Sequence, residues 1–106
     1  MKLNGWNITL SQCNEETIDD EMIVFVEEYH KIIVLNSTAS TIWRYIQECN
    51  SNNIDICSSD IAEVLKDTFY ISTPNQSELF SDIDDTISQF FQAAMILKED
   101  DWIEEE

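Results

Sequence analysis

The chain has 106 residues, and 22 acidic side chains against 5 basic ones give it a net charge of −17. A surface of that sign repels phosphate backbones and anionic lipid, so it argues against nucleic acid and membrane as partners and, short of marking a basic partner, serves solubility. No stretch is apolar over the ~20 residues that a bilayer span needs, the start Met1-Lys2-Leu3-Asn4-Gly5-Trp6 lacks the apolar run of a signal peptide, and the length suits one domain, so a soluble cytoplasmic protein is expected.

Trp6-Asn7-Ile8-Thr9-Leu10 alternates apolar and polar residues, the period of a half-buried strand. Residues 14 to 21 are polar and acid-rich and read as a solvated loop. Met22 to Glu27 is a β-rich run, Glu28-Tyr29-His30 a turn, and Lys31 to Leu35 a second β-rich run. Two such runs separated by a few polar residues predict an antiparallel hairpin.

The second run continues without a loop into a helix. In Ser37 to Glu48 the residues Ala39, Ile42, Trp43 and Ile46 fall on one helical face, and Asn36 or Ser37 can cap the free amides at its start. Asn50-Ser51-Asn52-Asn53 ends it. A second helix is predicted from about Ser59 to Phe69, with Ile61, Val64, Leu65 and Thr68 in one stripe. Thr73-Pro74-Asn75-Gln76 has the pattern of a capping box and opens a third helix over residues 74 to 97. Its apolar positions include Leu79, Phe80, Ile83, Ile87, Phe90, Phe91 and Ala94. Glu99 to Glu106 reads as an acidic tail.

The order β-β-β-α-α-α predicts an α+β domain, winged-helix-like, with a three-stranded antiparallel sheet followed by three helices. The expected organisation is a single domain over residues 1–98 and the tail over 99–106.

Catalytic chemistry finds little to use. His30, the one histidine, falls at a hairpin turn, so no Ser-His-Asp or Cys-His set is readable. Cys13, Cys49 and Cys57 are odd in number and contain no C-x-x-C pair, and their spacing is unlike that of structural zinc ligands. With one glycine in the chain, no nucleotide-binding loop is possible. No catalytic residue, metal ligand or cofactor is therefore expected. A winged-helix DNA regulator shares the element order, but residues 74 to 97 hold no Lys or Arg with which to approach phosphates.

The run Ile32 to Ile46, IIVLNSTASTIWRYI, resembles the PqqD-like RiPP recognition elements in its strand ending Leu35-Asn36, its small Ala39 and its Ile42-Trp43 pair. DIAEVLKDTFYI resembles that family's second helix, and SDIDDTISQFFQAAMI its third. The resemblance covers about residues 6 to 97. Ala94 stands where the family has a glycine, from which the third helix is expected to run on, and the loops at 49 to 58 and 70 to 77 look longer than is common in the family.

The resemblance implies a non-catalytic domain that binds the leader of a ribosomally made precursor peptide and hands it to a maturation enzyme, either a radical SAM enzyme or a leader peptidase with a cyclase. It implies that the leader adds as a strand along Lys31, Ile32, Ile33, Val34, Leu35 and Asn36. Edge-strand chemistry points the same way, because unpaired amides and carbonyls template another strand. Such an edge could also pair two copies of the chain. Asp84, Ile87, Ser88 and Phe91 are the expected opposite wall on the third helix, although Ile87 and Phe91 suit a core equally well by spacing. Asp84 and Asp85 are either a solvated face or a match for basic leader side chains. The alternative reading is an acidic winged-helix-like protein-interaction or inhibitor domain.

Overall fold

The computed structural model describes residues 1–69 and 76–99. The expected cap at Thr73 to Asn75, residues 100–106 of the acidic tail, and Trp102 within it lie outside the described residues.

The central element is an antiparallel sheet in the order β3-β4-β5, formed by Cys13–Ile18, Glu21–Val26 and Lys31–Leu35. Its middle strand explains its orientation. Met22, Val24 and Val26 are buried, whereas Ile23 and Phe25 between them are half-buried. In the register, Met22 faces Leu35 and Val24 faces Ile33, so one face of the sheet meets the helices. His30 closes the β4–β5 hairpin in a left-handed conformation (φ 53°), and its N–H bonds the Glu27 carbonyl at 3.3 Å.

Strand β3 occupies residues read from sequence as a loop. It pairs with β4 along its whole length, from Cys13↔Val26 to Ile18↔Glu21, around a two-residue turn at Asp19-Asp20. Its polar side chains are used by α1, which spans Ser37–Ser51. Glu15 Oε2 accepts hydrogen bonds from Trp43 Nε1 at 2.7 Å and from Gln47 Nε2 at 2.6 Å. Arg44 Nη2 donates to Thr17 Oγ1 at 3.2 Å. A strand held by hydrogen bonds to a helix needs no apolar period, and this one has none.

A second sheet runs in the order β1-β2-β6, from Lys2–Leu3, Trp6–Leu10 and Ile96–Lys98. Asn4 and Gly5 both take positive φ (51° and 84°) and join β1 to β2 in two residues, as a tight hairpin turn requires. Strand β6 corrects the expectation that the third helix extends to residue 97. Helix α3 spans Gln76–Gln92. Ala94 then takes a left-handed conformation (φ 62°). The Ala94 amide bonds the Phe91 carbonyl at 3.0 Å and the Met95 amide bonds the Phe90 carbonyl at 2.9 Å, the bond pair of a Schellman stop.

Helix α2 spans Ser58–Phe69 and buries Ile61, Ala62 and Leu65. The core lies between the β3-β4-β5 sheet and the three helices, around Trp43, whose ring meets Phe90 edge-on at 5.5 Å. An aromatic pair of that geometry adds about 1 kcal/mol beyond its burial. Asn36 joins strand to helix directly: its side chain accepts a bond from the Ala39 amide at 2.8 Å, one residue after Leu35 ends β5. Among the described residues no helix is long and apolar enough to cross a membrane.

Candidate functional site

Strand β5 pairs with β4 on one side only, and no strand among the described residues covers its other side. That edge is apolar and exposed, with Ile32 at 69% and Val34 at 56% of full accessibility. Natural edges are usually blunted by charge, proline or a bulge. The only charge on this one is Lys31, at its start, and Lys31 is itself engaged: its Nζ donates to the Gln92 carbonyl at 3.0 Å. A cation there also meets the negative end of the α3 dipole. The opposite edge of the sheet, β3, carries Glu15 and Glu16 in its middle.

Between β5 and α3 lie two adjoining cavities. The first, of about 400 Å³, is walled by Lys31, Ile32 and Ile33 on the strand and by Gln89, Gln92 and Ala93 on the helix. The second, of about 360 Å³, is walled on one side by Val34, Asn36, Thr38 and Ala39. Asp82, Asp85, Thr86 and Gln89 form its other side. Gln89 is common to both, so the two form one trough along the strand edge.

Of the residues expected from sequence, the trough brings together Lys31, Ile32, Ile33, Val34 and Asn36. Leu35 is 1% exposed; its side chain belongs to the core and only its backbone lies on the edge. The four expected helix residues lie outside both cavities. Ile87 is 7% exposed and packs in the core. Asp84 accepts a hydrogen bond from Ser58 Oγ at 3.1 Å, toward α2. Ser88 is exposed away from the trough, and Phe91 stands 5.5 Å from Lys98 Nζ of β6. The wall is instead the polar stripe Asp82, Asp85, Thr86, Gln89 and Gln92, followed by Ala93 just past the helix end. At 100° per residue that stripe and the set Asp84, Ser88 and Phe91 flank the buried stripe on opposite sides. Sequence spacing locates the buried stripe but does not tell which flank turns toward the strand. Charge alone singles out Asp85 in the sequence, and the signal that finds the others is the i, i+3, i+4, i+7 spacing from Asp82 to Gln89.

Electrostatics at the trough follow the composition. Asp82 and Asp85 give the second cavity negative charge, and no lysine or arginine lines it. The titratable groups with displaced pKa values lie elsewhere. Burial, then Glu15 and Glu27, push the Cys13 thiol up to about 11. Burial and a hydrogen bond with Cys49 push Tyr45 up to about 12. Among the described residues no group of three or more His, Cys, Asp or Glu side chains is placed to hold a metal ion.

No family model matches the chain, and no curated protein matches it significantly by sequence. By structure the chain is similar to TbiB1, solved in complex with the TbiA(beta) leader peptide, with a TM-score of 0.66 over 88% of this chain and 99% of that one at 15% sequence identity. The chain therefore has the fold of TbiB1, and the α+β, winged-helix-like arrangement expected from the element order is found, with β3 in the sheet place expected for Trp6–Leu10, which pairs in the second sheet.

Proposed function

We propose that the chain is a non-catalytic peptide-binding protein. It recognises the leader of a ribosomally synthesised, post-translationally modified precursor by strand addition at β5 and presents it to a maturation enzyme in the cytoplasm. The observation that carries this reading is the open, apolar β5 edge facing α3 across a trough. An added strand would satisfy the free amides and carbonyls of β5, and its alternate side chains would enter the trough. The complex formed by TbiB1, a protein of the same fold, with a leader peptide supports the assignment. The enzyme served is a radical SAM enzyme or a leader peptidase with a cyclase.

The test is a titration. A synthetic leader from a short reading frame beside the gene, labelled with fluorescein, is expected to bind with a Kd of about 1 µM or tighter. Val34→Pro removes an amide from the edge strand. Gln89→Trp fills the wall shared by the two cavities without touching β4. Each is expected to weaken binding about tenfold or more while the circular dichroism spectrum is kept. Undiminished binding to both folded variants would overturn strand addition at this edge.

A further inference from the structure

The trough does not stop where β5 ends. Beyond Asn36 the second cavity adjoins a third, of about 230 Å³, with Thr38 and Asp82 as their common wall. The rest of its lining is apolar: Ile42 from α1, Leu65 and Phe69 from α2, and Leu79 and Ile83 from α3. Three chambers thus follow α3 from its last turn to its first. The first is lined by Ile32, Ile33 and Ala93, with Lys31, Gln89 and Gln92 at its polar margin. The second holds Asp82 and Asp85. The third is mainly aliphatic and aromatic, with Thr38 and Asp82 where it meets the second.

Their spacing matches an extended chain. The lining residues of α3 centre near positions 90, 85 and 81, and at 1.5 Å per residue adjacent chambers are about 6–8 Å apart along the helix axis. Side chains on one side of an extended strand recur about every 6.6 Å. Consecutive same-side residues of a strand on β5 would therefore meet consecutive chambers.

Resting on the leader-binding reading, we infer that the peptide recognised here carries the pattern apolar–x–basic–x–apolar, with one of its two outer anchors in the helix-lined chamber beyond the strand edge. The basic side chain is set by charge complementarity, because two carboxylates line the middle chamber and no cation lines it. The outer anchors are aliphatic or aromatic because removal of such surface from water drives their entry. The pattern reads the same in both directions, so it holds for a parallel or an antiparallel added strand.

Phage-displayed random dodecamers, selected on the immobilised full chain, test this without a known leader. Enriched peptides are resynthesised and measured by fluorescence anisotropy. They are expected to share the pattern and to lose affinity about tenfold on Gln89→Trp. The double variant Asp82→Asn with Asp85→Asn should weaken them about fivefold and leave analogues with Gln at the basic position unchanged. Leu79→Trp, which fills the third chamber, should weaken full peptides and leave unchanged those with Ser at one of the two outer anchors, the one that enters this chamber. The peptide analogues read the same chambers should Leu79→Trp fail to fold. Peptides that bind the trough, as judged by Gln89→Trp, but lack the pattern or ignore the other variants overturn this inference and leave strand addition standing. A selection with no binder sensitive to Gln89→Trp overturns both.

Discussion

Lys31 Nζ lies 3.0 Å from the Gln92 carbonyl oxygen, which ties the first residue of the edge strand to the last turn of α3. The bond is exposed, so its net contribution is small, about 0.5–1 kcal/mol. Lys31→Met keeps the apolar stem and removes the donor. A fall in Tm of a few degrees is expected, together with faster amide exchange in the last turn of α3. An unchanged exchange rate there would show that the tether does not hold the helix end.

Glu15 is the joint between β3 and α1. Its Oε2 accepts from both Trp43 Nε1 and Gln47 Nε2, and Trp43 is 1% exposed. Glu15→Ala leaves the buried indole N–H without its acceptor, at a cost of about 1–3 kcal/mol. The urea midpoint should fall with an unchanged slope. Glu15→Gln keeps an acceptor and should recover most of the loss.

Ala94 ends α3 in a conformation that penalises a Cβ. A left-handed non-glycine residue costs about 1–2 kcal/mol, part of which glycine returns as unfolded-state entropy. Ala94→Gly is therefore expected to stabilise the chain by about 0.5–1 kcal/mol, read as a rise in the denaturation midpoint. A fall would mean that the small Ala94 side chain packs better than its backbone is strained.

The Cys13 thiol, raised from 9.0 to about 11 by burial and then by Glu15 and Glu27, makes stability depend on alkaline pH. The folded state holds this proton more tightly than the unfolded chain. Its contribution is complete below about pH 9 and is lost as the pH rises toward 11. Tyr45, raised from 10.0 to about 12, continues the decline at higher pH. Denaturation midpoints between pH 8 and 11 should fall, and Cys13→Ala should flatten the first part of the curve. Iodoacetamide at pH 8 should modify exposed Cys57 well before Cys13, as read by mass spectrometry.

The helices were legible because each buries one continuous stripe, and Ile42, Trp43 and Ile46 announce α1 on spacing alone. Strand β3 was not, because Glu15 and Thr17 answer to Trp43, Gln47 and Arg44 through hydrogen bonds, and no apolar alternation marks it. The turn Asn4-Gly5 did carry a hairpin signal, but β1 beside it has two residues, too few to show a period. Strand β6 was hidden by Ala94, since a left-handed stop is written by glycine in most helices. At the site, the strand half was legible from local composition. The helix half depends on which flank of α3 turns toward β5, a matter of how the chain returns through space. Asp82, Thr86 and Gln89 are ordinary surface residues until that is known.

The two borders of the β3-β4-β5 sheet differ in kind, and this limits how far strand pairing can spread. One border is acidic at Glu15 and Glu16, the other apolar at Ile32 and Val34. A guest strand can therefore join this sheet along β5, whereas at β3 it would run beside acidic side chains. Two copies joined through β5 would turn their β3 strands outward, so further growth of this sheet would have to set acidic strand against acidic strand, which opposes its running on into a fibre.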